Sequence, residues 1–235
     1  MRAAIIQARM GSSRLPGKAM MEIGGIPSVW QVVARVKECS SIDMVIVAIP
    51  DTQDNDVLDE YLHGMGVSVF RGPEDDVLTR YYDCASIWGL HWIARITADC
   101  PLIDPTIIDG MMDLTAIYDH TEAIYIHNIK PRTYPDGLDV EIFSYRALHQ
   151  AYHRTDDPWD REHVCHWMMA ADACLSIPYY QSIDESRHRW TLDTKEDYEW
   201  FIKLNDVLPL IPPAPTTEDL ISYLRDHPEM EHTDA

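Results

Sequence analysis

The 235-residue chain is short of positive charge: 19 Lys and Arg stand against 39 Asp and Glu, a formal net charge of −20. That shortage argues against a general nucleic-acid binder, because phosphate backbones demand an excess of cations. The acidic surplus reads as a solvated surface. Long apolar runs are missing too. No stretch of about 20 apolar residues exists to cross a bilayer. A strand expected from residue 2 leaves no room before it for a targeting segment. The five cysteines (Cys39, Cys84, Cys100, Cys165, Cys174) are odd in number and make no C-x-x-C pair. They are therefore expected to be reduced thiols of a cytoplasmic protein rather than a disulfide framework. Internal repeats are absent, and no Ser-His or Cys-His nucleophile pattern is visible.

What is present is an ordinary globular composition, 46% hydrophobic and 25% charged, in which short β-branched runs alternate with amphipathic stretches. Strands are expected at 3–8, 44–49, 67–70, 92–97, 123–126 and 138–143, with a late strand at 190–192. Helices are expected from Ser28 as cap to about Glu38, from Asp54 to before Gly64, over 75–87, from Pro105, near 144–154 and 160–170, and over Thr217–Asp226. Strands separated by helices of this length imply a three-layer α/β/α fold with a mainly parallel, Rossmann-like sheet. Residues 1–208 read as one domain, with an acceptor or dimerisation segment at 128–170. Residues 209–235 read as a linker, a short helix and a frayed acidic tail.

Against the acidic background one cationic cluster stands out, in the loop Arg9-Met-Gly-Ser-Ser-Arg-Leu-Pro-Gly-Lys18 directly after the first strand. Ligands of open α/β sheets bind at the carboxyl ends of the strands. Gly11, Ser12 and Ser13 let backbone N–H groups approach a phosphate closely, and Arg9, Arg14 and Lys18 supply charge. The loop is not a Walker loop. Five residues separate Gly11 from Gly17, and Ala19 stands where a Mg²⁺-binding Ser or Thr is required. Two aspartates, Asp99 and Asp193, each follow an expected strand, which is where a carboxylate can face a central cleft and hold Mg²⁺ against a triphosphate. Each has a plainer alternative as a helix cap or turn residue. Asp139 and Glu141 share one face of a strand, open either to an acceptor or to water. Cys165 between His163 and His166 suggests zinc only superficially, because a four-ligand set is missing, and a packed or interface helix is the better reading.

The run Ala4-Ile-Ile-Gln-Ala-Arg-Met-Gly-Ser-Ser-Arg-Leu-Pro-Gly-Lys18 resembles the signature of the cytidylyltransferases that activate acidic sugars, the CMP-acylneuraminate and CMP-ketodeoxyoctulosonate synthetases. It is most similar to the branch of the spore coat polysaccharide biosynthesis protein F. The likeness continues in Arg71–Tyr81, Arg95–Asp104, Tyr134–Glu141, Arg161–Val164 and Trp190–Tyr198, although Cys165-His-Trp departs from the usual Thr-Pro-Tyr. The resemblance implies the fold of nucleotide-diphospho-sugar transferases and a Mg²⁺-dependent attack of an acidic sugar on the α-phosphorus of CTP. It implies nucleotide contacts at Ala8, Arg9, Gly11, Ser12, Ser13, Arg14, Lys18, Arg71 and Asp99, with Arg14 and Lys18 catalytic and Asp99 and Asp193 holding the metal. Acceptor contacts are expected from Asp139, Glu141, Arg161 and His163, in a homodimer that needs no nucleic acid and no membrane. Three rivals share parts of this pattern. One is nucleotidyl transfer from another triphosphate to a sugar phosphate. A second is a related glycosyltransferase, for which Asp139-Val-Glu141 approximates the required Asp-x-Asp. The third is a catalytically silent subunit, against which the intact Arg14, Lys18, Asp99 and Asp193 set argues.

Overall fold

The computed structural model describes residues 1–210 and 214–233. Its elements run β1 (Arg2–Gln7), β2 (Glu22–Ile23), β3 (Ile26–Pro27), α1 (Ser28–Val36), β4 (Met44–Pro50), α2 (Asp56–Gly64), β5 (Ser68–Gly72), α3 (Val77–Ile87) and β6 (Trp92–Thr97). They continue with α4 (Pro105–Asp113), β7 (Ile124–His127), β8 (Glu141–Ser144), α5 (Tyr145–Arg154), α6 (Pro158–His163), α7 (His166–Ala170), β9 (Leu175–Pro178), α8 (Lys195–Val207) and α9 (Thr217–Asp226).

Seven strands form one sheet in the order β5-β4-β1-β6-β8-β7-β9. β5, β4, β1 and β6 are mutually parallel, β8 is antiparallel to both β6 and β7, and β9 returns parallel to β7. Strand side chains alternate between faces, and the core divides accordingly. Ala4 and Ile6 of β1 pack into one cluster with α1, α2, α4, α8 and α9, while Ala3 and Ile5 pack into a second with α3, α5 and α7. The three-layer architecture expected from the sequence is therefore observed. The chain leaves β1 toward β4 and β5, then crosses back to place β6 on β1's other side. The carboxyl ends of β1 and β6 thus flank the point where strand order reverses, the place where such sheets open a binding crevice.

Several local expectations need correction. Residues 190–192 are extended but are no strand of the sheet. The Trp190 N–H donates to the Asp136 carbonyl and the Leu192 N–H to the Asp99 carbonyl, so the segment laces two loops together instead of pairing along one neighbour. The expected strand 138–143 is shorter, and Asp139 lies in the approach to β8. The helix expected over 160–170 is two short helices, broken at Val164, whose φ of 55° no helix accommodates. Ser28 does not cap α1. Its hydroxyl donates to the Lys18 carbonyl at 2.7 Å, fastening the end of the cationic loop to the helix. β9 was not expected from the sequence. The 209–215 linker lies partly outside the described residues, but α9 is not a loose appendage, since Leu220 and Leu224 are buried in the larger core cluster. The tail is not frayed through His232: the Trp200 Nε1–H donates to the Met230 carbonyl at 2.8 Å, and the Arg189 N–H to the His232 carbonyl at 2.9 Å.

Candidate active site

The loop after β1 is shaped by its own backbone. The Ser12 and Gly17 N–H groups both donate to the Met10 carbonyl, and the Met10 N–H is held by the buried Asn55 side chain at 2.9 Å. Gly17 turns the chain at a φ of 75°, where a residue with a Cβ is strained. This folds the loop back so that Lys18 points across the carboxyl ends of β1 and β6.

There Lys18 meets both candidate metal ligands. Its Nζ donates to Asp99 Oδ2 at 2.8 Å and to Asp193 Oδ1 at 2.7 Å, and Arg14 reaches Asp193 Oδ2 at 2.8 Å from an exposed position. The cap readings of the two aspartates pass to their neighbours, while Asp99 does sit in a turn, closed by the Cys100 N–H on the Thr97 carbonyl at 3.3 Å. Asp104 caps α4 by accepting from the Thr106 N–H, and Thr194 caps α8 in a reciprocal box with Asp197. Both Asp99 and Asp193 are thereby left to face the loop. Gly137 helps to place the second of them: with φ of 102° it lets the Trp190 backbone pass so close that a Cβ there would strike the Trp190 carbonyl. The Leu192 N–H to Asp99 carbonyl bond, 2.8 Å, then ties the two aspartate-bearing segments directly.

Burial disfavours charge on both partners, and each compensates the other. Asp99 stays below the ordinary carboxylate range, since the nearby Lys18 ammonium outweighs desolvation. Lys18 likewise overcomes desolvation and is held above its ordinary value by Asp99 and Asp193.

The cleft around this triad is lined by Ala8, Arg9, Ser12, Ser13, Arg14, Lys18, Asp99, His163 and Asp193, all anticipated. It is also lined by Gln7, Val77, Arg80, Arg95, Thr97 and Glu162, which were not. Arg95, in the second half of β6, lines the cleft, with its Nε donating to Gln7 Oε1 at 3.1 Å and its charge paired to Glu141. Glu141 also accepts from the Tyr125 hydroxyl at 2.5 Å and is only 5% exposed, so it serves Arg95 from below and is closed to an acceptor. The pair keeps Arg95 above the ordinary arginine range despite its burial. Arg80 is buried as well. It donates to the Pro73 carbonyl at 2.7 Å, and its Nε has no hydrogen-bond partner among the described residues. A β-strand arginine at a sheet's carboxyl edge is the signal that could have flagged Arg95. Arg80, inside the helix pattern of α3, gives none.

Five anticipated residues, Glu141 among them, sit outside the cleft lining. Arg71 is held by Asp51, Asp56 and Asp59. Asp139 makes a two-pronged pair with Arg132 at 2.5 and 2.9 Å; burial nonetheless raises its pKa above the usual carboxylate value. Arg161 grips Asp76, the cap of α3, at 2.7 and 2.9 Å and the Thr155 carbonyl at 3.0 Å, so it docks α6 on α3. Gly11 lies beside the cleft, 3.7 Å from Glu74 when a Cβ is placed on it. His163, Cys165 and His166 go to three different surroundings. His163 lies against Trp159 at the cleft, Cys165 is buried, and His166 bonds Asp160 at 2.5 Å.

A sequence profile described as cytidylyltransferase matches residues 3–211, a span that contains every one of these groups. The chain belongs to the cytidylyltransferase family. This cytidylyltransferase is 31% identical to the spore coat polysaccharide biosynthesis protein SpsF of Bacillus subtilis, over 83% of this chain and 82% of that protein. A solved cytidylyltransferase from Leptospira borgpetersenii superposes with a TM-score of 0.92 at 31% identity, covering 100% of this chain and 98% of the other. A CMP:2-keto-3-deoxy-manno-octonic acid synthetase solved with CTP shares the fold at a TM-score of 0.65 and 16% identity, covering 88% and 98%. Among the described residues of the cytidylyltransferase, no helix is long and apolar enough to cross a membrane.

Proposed function

We propose that this cytidylyltransferase joins CMP from CTP to an acidic, keto-acid sugar, releasing pyrophosphate, in the assembly of a surface polysaccharide. The observation that carries the reading is the meeting of Asp99 and Asp193 on the ammonium of Lys18, at 2.8 and 2.7 Å, opposite a loop built for anions. The names of SpsF and of the synthetase solved with CTP support the substrate class.

The residues present suit Mg²⁺. One ammonium touches both carboxylates, so their oxygens lie within reach of a single small cation. Mg²⁺ prefers one or two carboxylates, with phosphate oxygens and water completing its shell. Bound at Asp99 and Asp193 together with CTP, it would supply positive charge to the α-phosphate and the departing pyrophosphate.

In the reaction an acceptor hydroxyl oxygen attacks the α-phosphorus, the bond from that phosphorus to the β-phosphate oxygen breaks, and the hydroxyl proton is lost to solvent. Arg9, Arg14 and Lys18 neutralise the triphosphate, while the N–H group of Ser13 positions it. No covalent enzyme intermediate is required. The acceptor enters against Glu162 and His163, and Arg161 serves it by holding α6 in place. Asp139 and Glu141 act at one remove, by fixing Arg132 and Arg95. That arrangement keeps Asp139 and Glu141 out of the cleft lining and disfavours the glycosyltransferase reading. We take the assembly to be a homodimer in the cytoplasm, with the 128–170 segment, including the 58% exposed Trp159, contributing to its interface.

Pyrophosphate release measured for each nucleoside triphosphate with Mg²⁺, across acidic and neutral sugars, tests the reading. Release confined to CTP with a keto-acid sugar is expected. Release from another triphosphate with a sugar phosphate would replace the substrate assignment, and tight CTP binding without release for any acceptor would make the chain a silent subunit.

A further inference from the structure

Asp193 is held in place by a chain of contacts that ends in the segment after α9. The Asp193 and Thr194 N–H groups both donate to Asp197 Oδ2 at 2.8 Å. Asp197 is buried, 2% exposed, and its other oxygen, Oδ1, meets His232 Nε2 at 2.8 Å. Arg189 pairs with the same carboxylate at 3.0 Å. His232 is not resting there by chance of a loose end. Its ring stacks on Trp200 with centroids 5.1 Å apart and planes 16° from parallel, and its own carbonyl accepts from the Arg189 N–H. The preceding residue, Glu231, is paired with Arg187 at 3.1 Å. A residue 35 positions beyond Asp197 therefore completes the hydrogen bonding of the carboxylate that fixes the backbone of Asp193.

We propose that His232 is a positioning residue of the active site, which sets the orientation of Asp193 toward the metal through Asp197. The proposal rests on the reading of Asp193 as a metal ligand. Groups that hold a ligand's supporting shell are known to control metal affinity, by about 10- to 100-fold when removed. His232 acts one bond further out and shares Asp197 with Arg189, so an effect of about 3- to 10-fold is expected, at or below the low end of that range.

The ring and the N–H of His232 can be separated by substitution. His232→Phe keeps the stack on Trp200 and loses the donor; His232→Gln keeps a donor and loses the ring. Mn²⁺ is the probe, titrated by electron paramagnetic resonance into the full chain with a non-hydrolysable CTP analogue, beside the Mn²⁺ concentration that half-saturates pyrophosphate release. Weaker Mn²⁺ binding in His232→Phe, recovery in His232→Gln and an unchanged analogue affinity without metal are the expected results. Wild-type Mn²⁺ binding in His232→Phe with loss in His232→Gln would overturn the proposal and leave only a packing role. Asp193→Asn is the reference. Unchanged Mn²⁺ binding there would overturn the metal reading and the proposal with it, whereas loss in Asp193→Asn with none in either His232 variant would overturn the proposal alone.

Discussion

The wall of the cleft formed by residues 8–18 and the wall formed by 158–166 are held in different ways. The first hangs from the ends of central parallel strands, is folded on its own backbone bonds and is pinned by buried Asn55 and Ser28. The second consists of α6, six residues long, and the start of α7, joined through a buried Val164 at a φ of 55°. A β-branched residue there costs about 1–3 kcal/mol, and the surrounding packing must hold it. Arg161, reaching from α6 to Asp76 on α3, supplies much of that hold. The comparison teaches that one wall of a cleft can sit on a rigid sheet edge while the wall facing it rests on short helices.

The largest effect that would break this comparison comes from the rigid wall. Asp99→Asn is expected to lower turnover about 10³-fold, in keeping with the loss of a principal charge-stabilising group, while the thermal midpoint stays within a few degrees. Near-normal pyrophosphate release in that variant would sink the metal assignment. Beneath the cleft, Glu141→Gln leaves Arg95 buried without its counter-charge and should destabilise the fold by about 3 kcal/mol in urea titration; an unchanged midpoint would show that Arg95 does not depend on the pair.

Sharper discrimination between the walls comes from Arg161→Ala. Losing its charged hydrogen bonds, at about 1.5 kcal/mol net, should raise the acceptor KM about tenfold with the CTP KM unchanged. Equal increases in both would erase the distinction. Thr194→Ala removes the α8 cap and is expected to cost about 1 kcal/mol of stability by chemical denaturation. The smallest effect is in pH. Asp99 is depressed and Lys18 raised, so their mutual stabilisation is complete between about pH 4 and pH 10. It fades as Asp99 protonates on the acid side and as Lys18 deprotonates on the alkaline side. The stability difference between wild type and Lys18→Met should therefore shrink below about pH 4, which unfolding curves at stepped pH would reveal.

The legible parts of the sequence were those where one physical cause dominates. β1 and β4 have apolar centres buried on both faces and read as continuous apolar runs, and the loop between β1 and α1 announces itself by cations in an acidic chain. The segment 190–192 misled because its Trp-Thr-Leu pattern is that of a strand, yet its hydrogen bonds go alternately to Asp136 and Asp99. β9, four residues with exposed ends and a terminal Pro178, has too little pattern to be seen. The division of α6 from α7 depends on one backbone angle at Val164, which composition does not encode. Arg80 was hidden for another reason: nothing in the helix pattern of α3 distinguishes a cleft arginine from a surface one, and only the fold places it on the cleft.

The bond from the Leu192 N–H to the Asp99 carbonyl spans 93 residues of sequence. Closing a loop of that length is among the slower and entropically costlier steps in forming a domain. A chain in which the first four parallel strands have already paired would thus own an anion-binding loop and one aspartate, but not the second. Recovery of cytidylyl transfer during refolding would accordingly trail the recovery of strand signal.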